Sequence, residues 1–144
     1  MECVYACSLR KYGVIKSDHS LIRVIKPSEV SELSDVVVCR HCDPAPCIEV
    51  CEFGALNRDE VSGAVVLNEE LCTSCKACLA VCPFNALLEV GGKVVKCDLC
   101  GGDPECVKVC DKGAITYVKA FSRELLRVKE VSERVKEVLT HKYS

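Results

Sequence analysis

Cysteine placement constrains this chain more than any other feature. Fourteen of its 144 residues are cysteine, in four groups: Cys3 and Cys7; Cys39, Cys42, Cys47 and Cys51; Cys72, Cys75, Cys78 and Cys82; Cys97, Cys100, Cys106 and Cys110. A chain of this length has room for about one domain, so thiols at that density are either cross-linked to one another or bound to metal. The compartment decides between the two. The opening MECVYACSLRKYG has no basic stretch followed by an apolar one and no A-x-A-like cleavage site, which implies a reducing, cytoplasmic setting and therefore metal. No apolar run approaches the roughly 18 residues of a membrane span. A hydrophobic content of 49% excludes a disordered chain, and a formal net charge of −2 does not favour nucleic acid as a partner.

Three of the groups are complete tetrads followed by the same short signature: CEFGAL from Cys51, CPFNAL from Cys82 and CDKGAI from Cys110. The repeating unit is a metal-binding loop with its exit turn. Gly54, Asn85 and Gly113 occupy one position of that signature, and all are residue types that tolerate a left-handed backbone, so a sharp turn is expected there. Apolar, β-branched stretches at 36–38, 64–67, 93–95 and 115–118 read as strands. Ser62-Gly63 and Gly91-Gly92 are hairpin cues, and 77–81 has room for about one helical turn. Each module thus reads as hairpin, loop, short helix and turn. Residues 8–38 read as a linker-like insertion with one strand at 21–26. Residues 122–139 read as an amphipathic helix capped by Ser122, with Phe121, Leu125, Val128, Val131, Val135 and Leu139 at spacings of three and four. Its apolar stripe either packs on the modules or docks a partner.

Residues 72–83 read CTSCKACLAVCP, the C-x2-C-x2-C-x3-C-P run in which a tight loop directs three thiolates at one iron-sulfur cube while the fourth ligates a neighbouring one. Residues 39–51, CRHCDPAPCIEVC, supply a tetrad of the same kind, with two extra residues before the third cysteine and Pro44 and Pro46 to hold the widened loop. Zinc is the competing ligand, because C-x2-C knuckles also build all-thiolate tetrahedral sites. Zinc knuckles, however, pair two such units across a longer spacer. His41 lies between two ligands and reads as a neighbour of the metal site that tunes it by hydrogen bonding, or as a merely exposed side chain. His19 and His141 stand in no pattern.

CRHCDPAPCIEVC, CTSCKACLAVCPFNAL and CDLCGGDPECVKVCDKGAI resemble the polyferredoxin electron-transfer subunits of molybdenum or tungsten oxidoreductases (aldehyde ferredoxin oxidoreductase and formate dehydrogenase among them), of CO dehydrogenase and of hydrogenase complexes. The resemblance runs from Cys3 to about Val118, and the short GGDPE spacer is closer to the branch found beside aldehyde ferredoxin oxidoreductases and CO dehydrogenases. It implies an α+β fold: tandem bacterial-ferredoxin-like modules of short β-hairpins and short helices around 4Fe-4S clusters, with the C-terminal amphipathic helix appended. Residues 1–118 form the polyferredoxin domain, with 39–90 as the central dicluster module and 91–118 paired with the incomplete N-terminal motif, while 119–144 form the helix. The family pairs its first tetrad with its fourth and its second with its third, by exchange of the last cysteine. Carried over, one cube is held by Cys39, Cys42, Cys47 and Cys82, and a second by Cys72, Cys75, Cys78 and Cys51. A third takes Cys97, Cys100, Cys106 and Cys7, which leaves Cys3 and Cys110 as the remnant of a fourth site. Three clusters are expected and a fourth is possible.

The chain starts inside its first motif. Either the fourth cluster is lost, or a longer native N-terminus supplies the missing cysteines. Glu52 and Asp111 stand where relatives commonly have proline, which removes no ligand. No glycine-rich phosphate loop and no Ser/His/Asp order competes as an active site. The function implied is therefore a non-catalytic relay of single low-potential electrons, as a subunit of a multi-protein oxidoreductase or as a free-standing soluble ferredoxin. A zinc-binding interaction module is the remote alternative. The partners implied are a catalytic subunit of the molybdenum/tungsten, CO dehydrogenase or hydrogenase type, and/or a soluble ferredoxin, with no nucleic acid and no membrane span.

Overall fold

A computed structural model of the chain describes residues 1–27 and 35–118. Its elements are short because the sequence interrupts every apolar run with a turn residue or a cysteine loop. Helix α1 (Glu2–Tyr12) is the longest among the described residues, and Gly13 ends it in a left-handed conformation, donating its N–H to Leu9 O at 2.8 Å. Glu2 in the first turn and Arg10 and Lys11 in the last complement the helix dipole.

Three two-stranded antiparallel sheets follow, each leading into a cysteine loop with a short helix. Strands β1 (Arg23–Ile25) and β2 (Asp35–Val37) precede the loop with α2 (Pro46–Glu49). Strands β3 (Leu56–Arg58) and β4 (Val65–Leu67) precede the loop with α3 (Ala77–Val81). Strands β5 (Leu88–Val90) and β6 (Lys93–Val95) precede the loop with α4 (Glu105–Lys108). The order of hairpin, loop, helix and turn is the one the repeat implies. Gly91 and Gly92 have φ of 58° and 79°, the double left-handed turn that suits a two-residue hairpin. The β3–β4 turn closes on Asp59, whose carboxylate accepts the Ser62 N–H at 2.9 Å and is held below its ordinary range by the Ser62 hydroxyl and backbone N–H.

The core is small and shared between modules. Ala45, Leu56, Val65, Cys78, Leu87 and Val94 form one buried cluster, and cysteines of two tetrads pack around it. Helix α2 packs against α3, and α1 against α4, so the helices pair as second with third and first with fourth in order along the chain. Tyr117 ties the far end of the chain back to the β3–β4 hairpin through its hydroxyl, which donates to Ser62 O at 3.2 Å.

Two expectations need correction. Residues 8–38 are not linker-like where they are described. Ser8, Ser20, Leu21 and Ile22 are all buried, and Ser8 Oγ both donates to Val14 O at 2.6 Å and accepts the Lys16 N–H at 3.0 Å. Polar composition suggested a linker, but these hydroxyls satisfy backbone groups inside the fold. Residues 115–118 make no strand among the described residues, because no partner strand lies alongside them there. The amphipathic helix at 122–139 lies outside the described residues.

Leu56, 1% exposed in the shared core, tests that arrangement. Leu56→Ala is expected to cost about 2–5 kcal/mol in anaerobic denaturant unfolding.

Candidate metal centres

The three C-x2-C knuckles share one left-handed residue, although in the third Cys100 is left-handed as well. The residue just before the second cysteine has positive φ in all three: His41 at 47°, Ser74 at 57° and Leu99 at 57°. None is glycine, so each spends roughly 1–2 kcal/mol of backbone strain that something else must offset. The knuckle turns backbone N–H groups toward sulfur, as in the His41 N–H donating to Cys39 Sγ at 3.4 Å. The exit turns do the same for the closing cysteines. Asn85 and Gly113, at φ 50° and 59°, direct the N–H of Ala86 to Cys82 Sγ at 3.4 Å and that of Ala114 to Cys110 Sγ at 3.3 Å. Gly54, at φ 61°, holds the equivalent position after Cys51.

Two cavities open beside the knuckles, each lined by four thiols. One, of about 340 Å3 including its open mouth, is lined by Cys39, Cys42, Cys47 and Cys82, with His41, Phe84 and Lys96. The other, of about 320 Å3, is lined by Cys51, Cys72, Cys75 and Cys78, with Phe53 and Lys76. Each cavity therefore takes three cysteines from one loop and the closing cysteine from the other. The two foursomes are those named from the resemblance.

The remaining thiols gather where α1 meets α4. Burial pushes the Cys106 thiol up to about 11, with Cys7, Cys100 and Cys3 adding to the rise. Burial pushes Cys97 up to about 12, and Cys39 and Cys7 are among its charged neighbours. Cys7 thus stands close to both Cys97 and Cys106. Lys11 Nζ reaches Asp98 Oδ2 at 3.2 Å and fastens α1 to this loop. Burial pushes the Asp98 carboxyl up, but the Lys11 charge and hydrogen bond, together with the backbone N–H groups of Cys100 and Asp98, hold the group below its ordinary range. Cys3 is also among the neighbours of Cys106, whereas Cys110 lies outside the two cavities. The Cys110 thiol is drawn down by the backbone N–H groups of Ile115 and Ala114.

The donor set fits an iron-sulfur cube better than a single ion. Zinc–thiolate bonds of about 2.3 Å would put the sulfurs about 3.8 Å apart. Among the described residues, no three His, Cys, Asp or Glu side chains are arranged to hold one metal ion. Four thiols spaced around a cavity suit a polynuclear core instead. Burial also raises Cys42, Cys47 and Cys78, so these thiols keep their protons unless a cation is bound among them, and iron supplies that charge.

Several residues around the cavities carry no sequence signal. Lys96 is 3% exposed, and its ammonium donates to Cys39 Sγ at 3.0 Å and to Cys97 O at 3.1 Å. Arg58 reaches from β3 to the first loop, donating to His41 O at 3.3 Å and to Cys42 O. Phe53 and Phe84 follow their closing cysteines by two residues and stand half-exposed at the cavity rims, with the Arg40 guanidinium 5.6 Å over the Phe84 ring. The repeated F in CEFGAL and CPFNAL is the one trace of them in the sequence. His41 is half-buried beside the first cavity, with its Nε2 buried and without a hydrogen-bond partner among the described residues. Its Nδ1 accepts the Val65 N–H at 2.9 Å, and burial, then the Lys96 and Arg58 charges, lowers its pKa to about 4.

Residues 30–121 match the family model described as a 4Fe-4S dicluster domain. The polyferredoxin-like subunit of aliphatic sulfonate oxidoreductase from Pyrococcus furiosus is 42% identical over 119 residues, covering 81% of this chain and 68% of its own length. The beta subunit of NADH-dependent phenylglyoxylate dehydrogenase from Aromatoleum evansii is 33% identical over 120 residues, covering 81% of this chain and 27% of its own. The thiosulfate reductase electron transfer subunit of Salmonella typhi is 37% identical over 100 residues, covering 63% of this chain and 52% of its own.

Cys51→Ala separates crossed ligation from local ligation. The expected result is loss of roughly four irons and of the paramagnetic signal belonging to the Cys72, Cys75 and Cys78 loop. Loss confined to the Cys39 side would argue against the crossing.

Proposed function

The chain belongs to the 4Fe-4S dicluster domain family, and from that premise we propose that it passes single electrons through three cubes to or from the catalytic subunit of an oxidoreductase complex. It is an iron-sulfur electron-transfer component of the polyferredoxin type, and the named relatives are oxidoreductase subunits, one of them polyferredoxin-like and one an electron transfer subunit. The observation that supports the relay most directly is the pair of cavities, each lined by four thiols. Four thiolates per cube leave no iron open to substrate.

A bound cube supplies reversible one-electron chemistry at a potential set by its surroundings. The protein's residues do the rest. Cys39, Cys42, Cys47 and Cys82 hold one station, and Cys51, Cys72, Cys75 and Cys78 the next. Cys97, Cys100, Cys106 and Cys7 hold a third, while Cys3 and Cys110 are a remnant. Because Cys51 and Cys82 cross between loops, neither station can shift without the other, and the spacing between them stays fixed. Cys75 is the exposed thiol of the set; the half-exposed Phe53 lines the same cavity, and the half-exposed Leu71 lies four residues before Cys75 in the chain. That face is where an electron enters or leaves with least protein in the way.

We place the protein in the cytoplasm, where its fourteen free thiols meet a reducing milieu. No described helix is long and apolar enough to cross a membrane. The partner is a catalytic subunit of the molybdenum/tungsten, CO dehydrogenase or hydrogenase class.

Iron and acid-labile sulfide per chain, on anaerobically purified protein, are the deciding measurement. Three cubes give roughly 12 of each. Roughly 16 would mean that Cys3 and Cys110 complete a fourth cube with ligands from elsewhere. Zinc in place of iron would overturn the relay.

A further inference from the structure

The two dicluster cavities share a ligand plan but differ sharply in charge. Lys96 is 3% exposed and its Nζ lies 3.0 Å from Cys39 Sγ. Among the described residues it forms no ion pair with a carboxylate, and its one other partner is the neutral Cys97 carbonyl at 3.1 Å. A buried ammonium needs a nearby negative charge, and the Cys39 sulfur is the group in position to supply it. The cation at the rim of the other cavity is arranged differently. Lys76 is half-exposed and its Nζ is paired with Glu89 Oε2 at 2.8 Å, so water screens its charge and a carboxylate cancels it.

Resting on the relay reading above, we propose that Lys96 makes the Cys39/Cys42/Cys47/Cys82 station the higher-potential member of the pair, the place where an electron dwells between transfers. Reduction adds one negative charge among these thiolates. A fixed, desolvated cation within hydrogen-bond distance of one of them favours that state far more than a solvated, neutralised one can. Further donors act in the same sense, with the His41 N–H directed at Cys39 Sγ and the Ala86 N–H at Cys82 Sγ. The step is a one-electron exchange: the Cys51 side gives up one electron, the Cys39 side gains it, and no bond forms or breaks. Lys96 also bonds the carbonyl of Cys97, the first cysteine of the third loop, so the dwelling place is the station adjoining the third set of thiols.

The test is an EPR-monitored redox titration of the anaerobic holoprotein and of Lys96→Met, Lys96→Arg and Lys76→Met, each with its iron content measured. Lys96→Met is expected to lower one midpoint by roughly tenfold in the oxidised-to-reduced ratio, about 59 mV for one electron. That signal is expected to be the one Cys42→Ser perturbs. Lys96→Arg, which keeps the charge, is expected to restore most of the shift, and Lys76→Met to leave every midpoint in place. If Lys96→Met does not assemble, Lys96→Gln, which keeps a donor without the charge, is read in its place and is expected to move the same midpoint. Unmoved midpoints in a variant with full iron content would overturn the proposal. So would a shift in a signal that Cys42→Ser leaves alone, or an equal shift of every signal. Wild-type protein without iron would instead overturn the relay reading itself.

Discussion

Burying a thiol is costly to its ionised form, and this chain buries many. Burial drives Cys97 up to about 12 and Cys106 up to about 11, and raises Cys42, Cys47 and Cys78 as well. A fold that places sulfur in such surroundings depends on a positively charged centre to make thiolates of it. The rest of the architecture follows from that dependence. The apolar core is one small cluster with cysteines packed around it, the strands are three residues long, and non-glycine residues hold left-handed conformations in every knuckle. Elements so short have little stability of their own. Metal ligation supplies what apolar burial cannot in elements this short.

The sequence was most readable where one residue type has one job. Gly54, Asn85 and Gly113 recur because the exit turn needs positive φ, and the turn directs the next residue's N–H at the closing cysteine's sulfur at Cys82 and Cys110. The hairpin at Gly91-Gly92 and the helix Ala77–Val81 were legible for the same local reason. The sequence was least readable where tertiary position decides. Lys96 follows two buried valines on β6 and precedes a cysteine, and no local pattern distinguishes a lysine turned inward from one turned to solvent. Ser8 and Ser20 look like linker residues until their hydroxyls are seen to bond the backbone inside the fold. Residues 115–118 have strand composition without a strand beside them among the described residues. The foursomes of thiols came from the resemblance, since spacing alone leaves open which loop each closing cysteine serves.

Helix pairing and thiol pairing are one arrangement seen at two levels. Helix α2 lies on α3, and α1 on α4. A closing cysteine leaves its loop from the end of such a helix, so packing two helices together brings each closing sulfur to the other loop's cavity. Arg58 and Lys11 act as ties at the next level: the first binds carbonyls of the 39–51 loop from β3, and the second holds α1 to Asp98 of the last loop.

Cys51 and Cys82 each line the cavity of the other loop, which bears on how far this chain can be divided. A cut between them would leave one fragment with Cys39, Cys42 and Cys47 around a cavity whose fourth wall has gone, and with Cys51 directed at nothing. The other fragment would have the mirror defect. The loops look like separable beads in the sequence, yet the wall of each cavity is completed by a cysteine from the other loop.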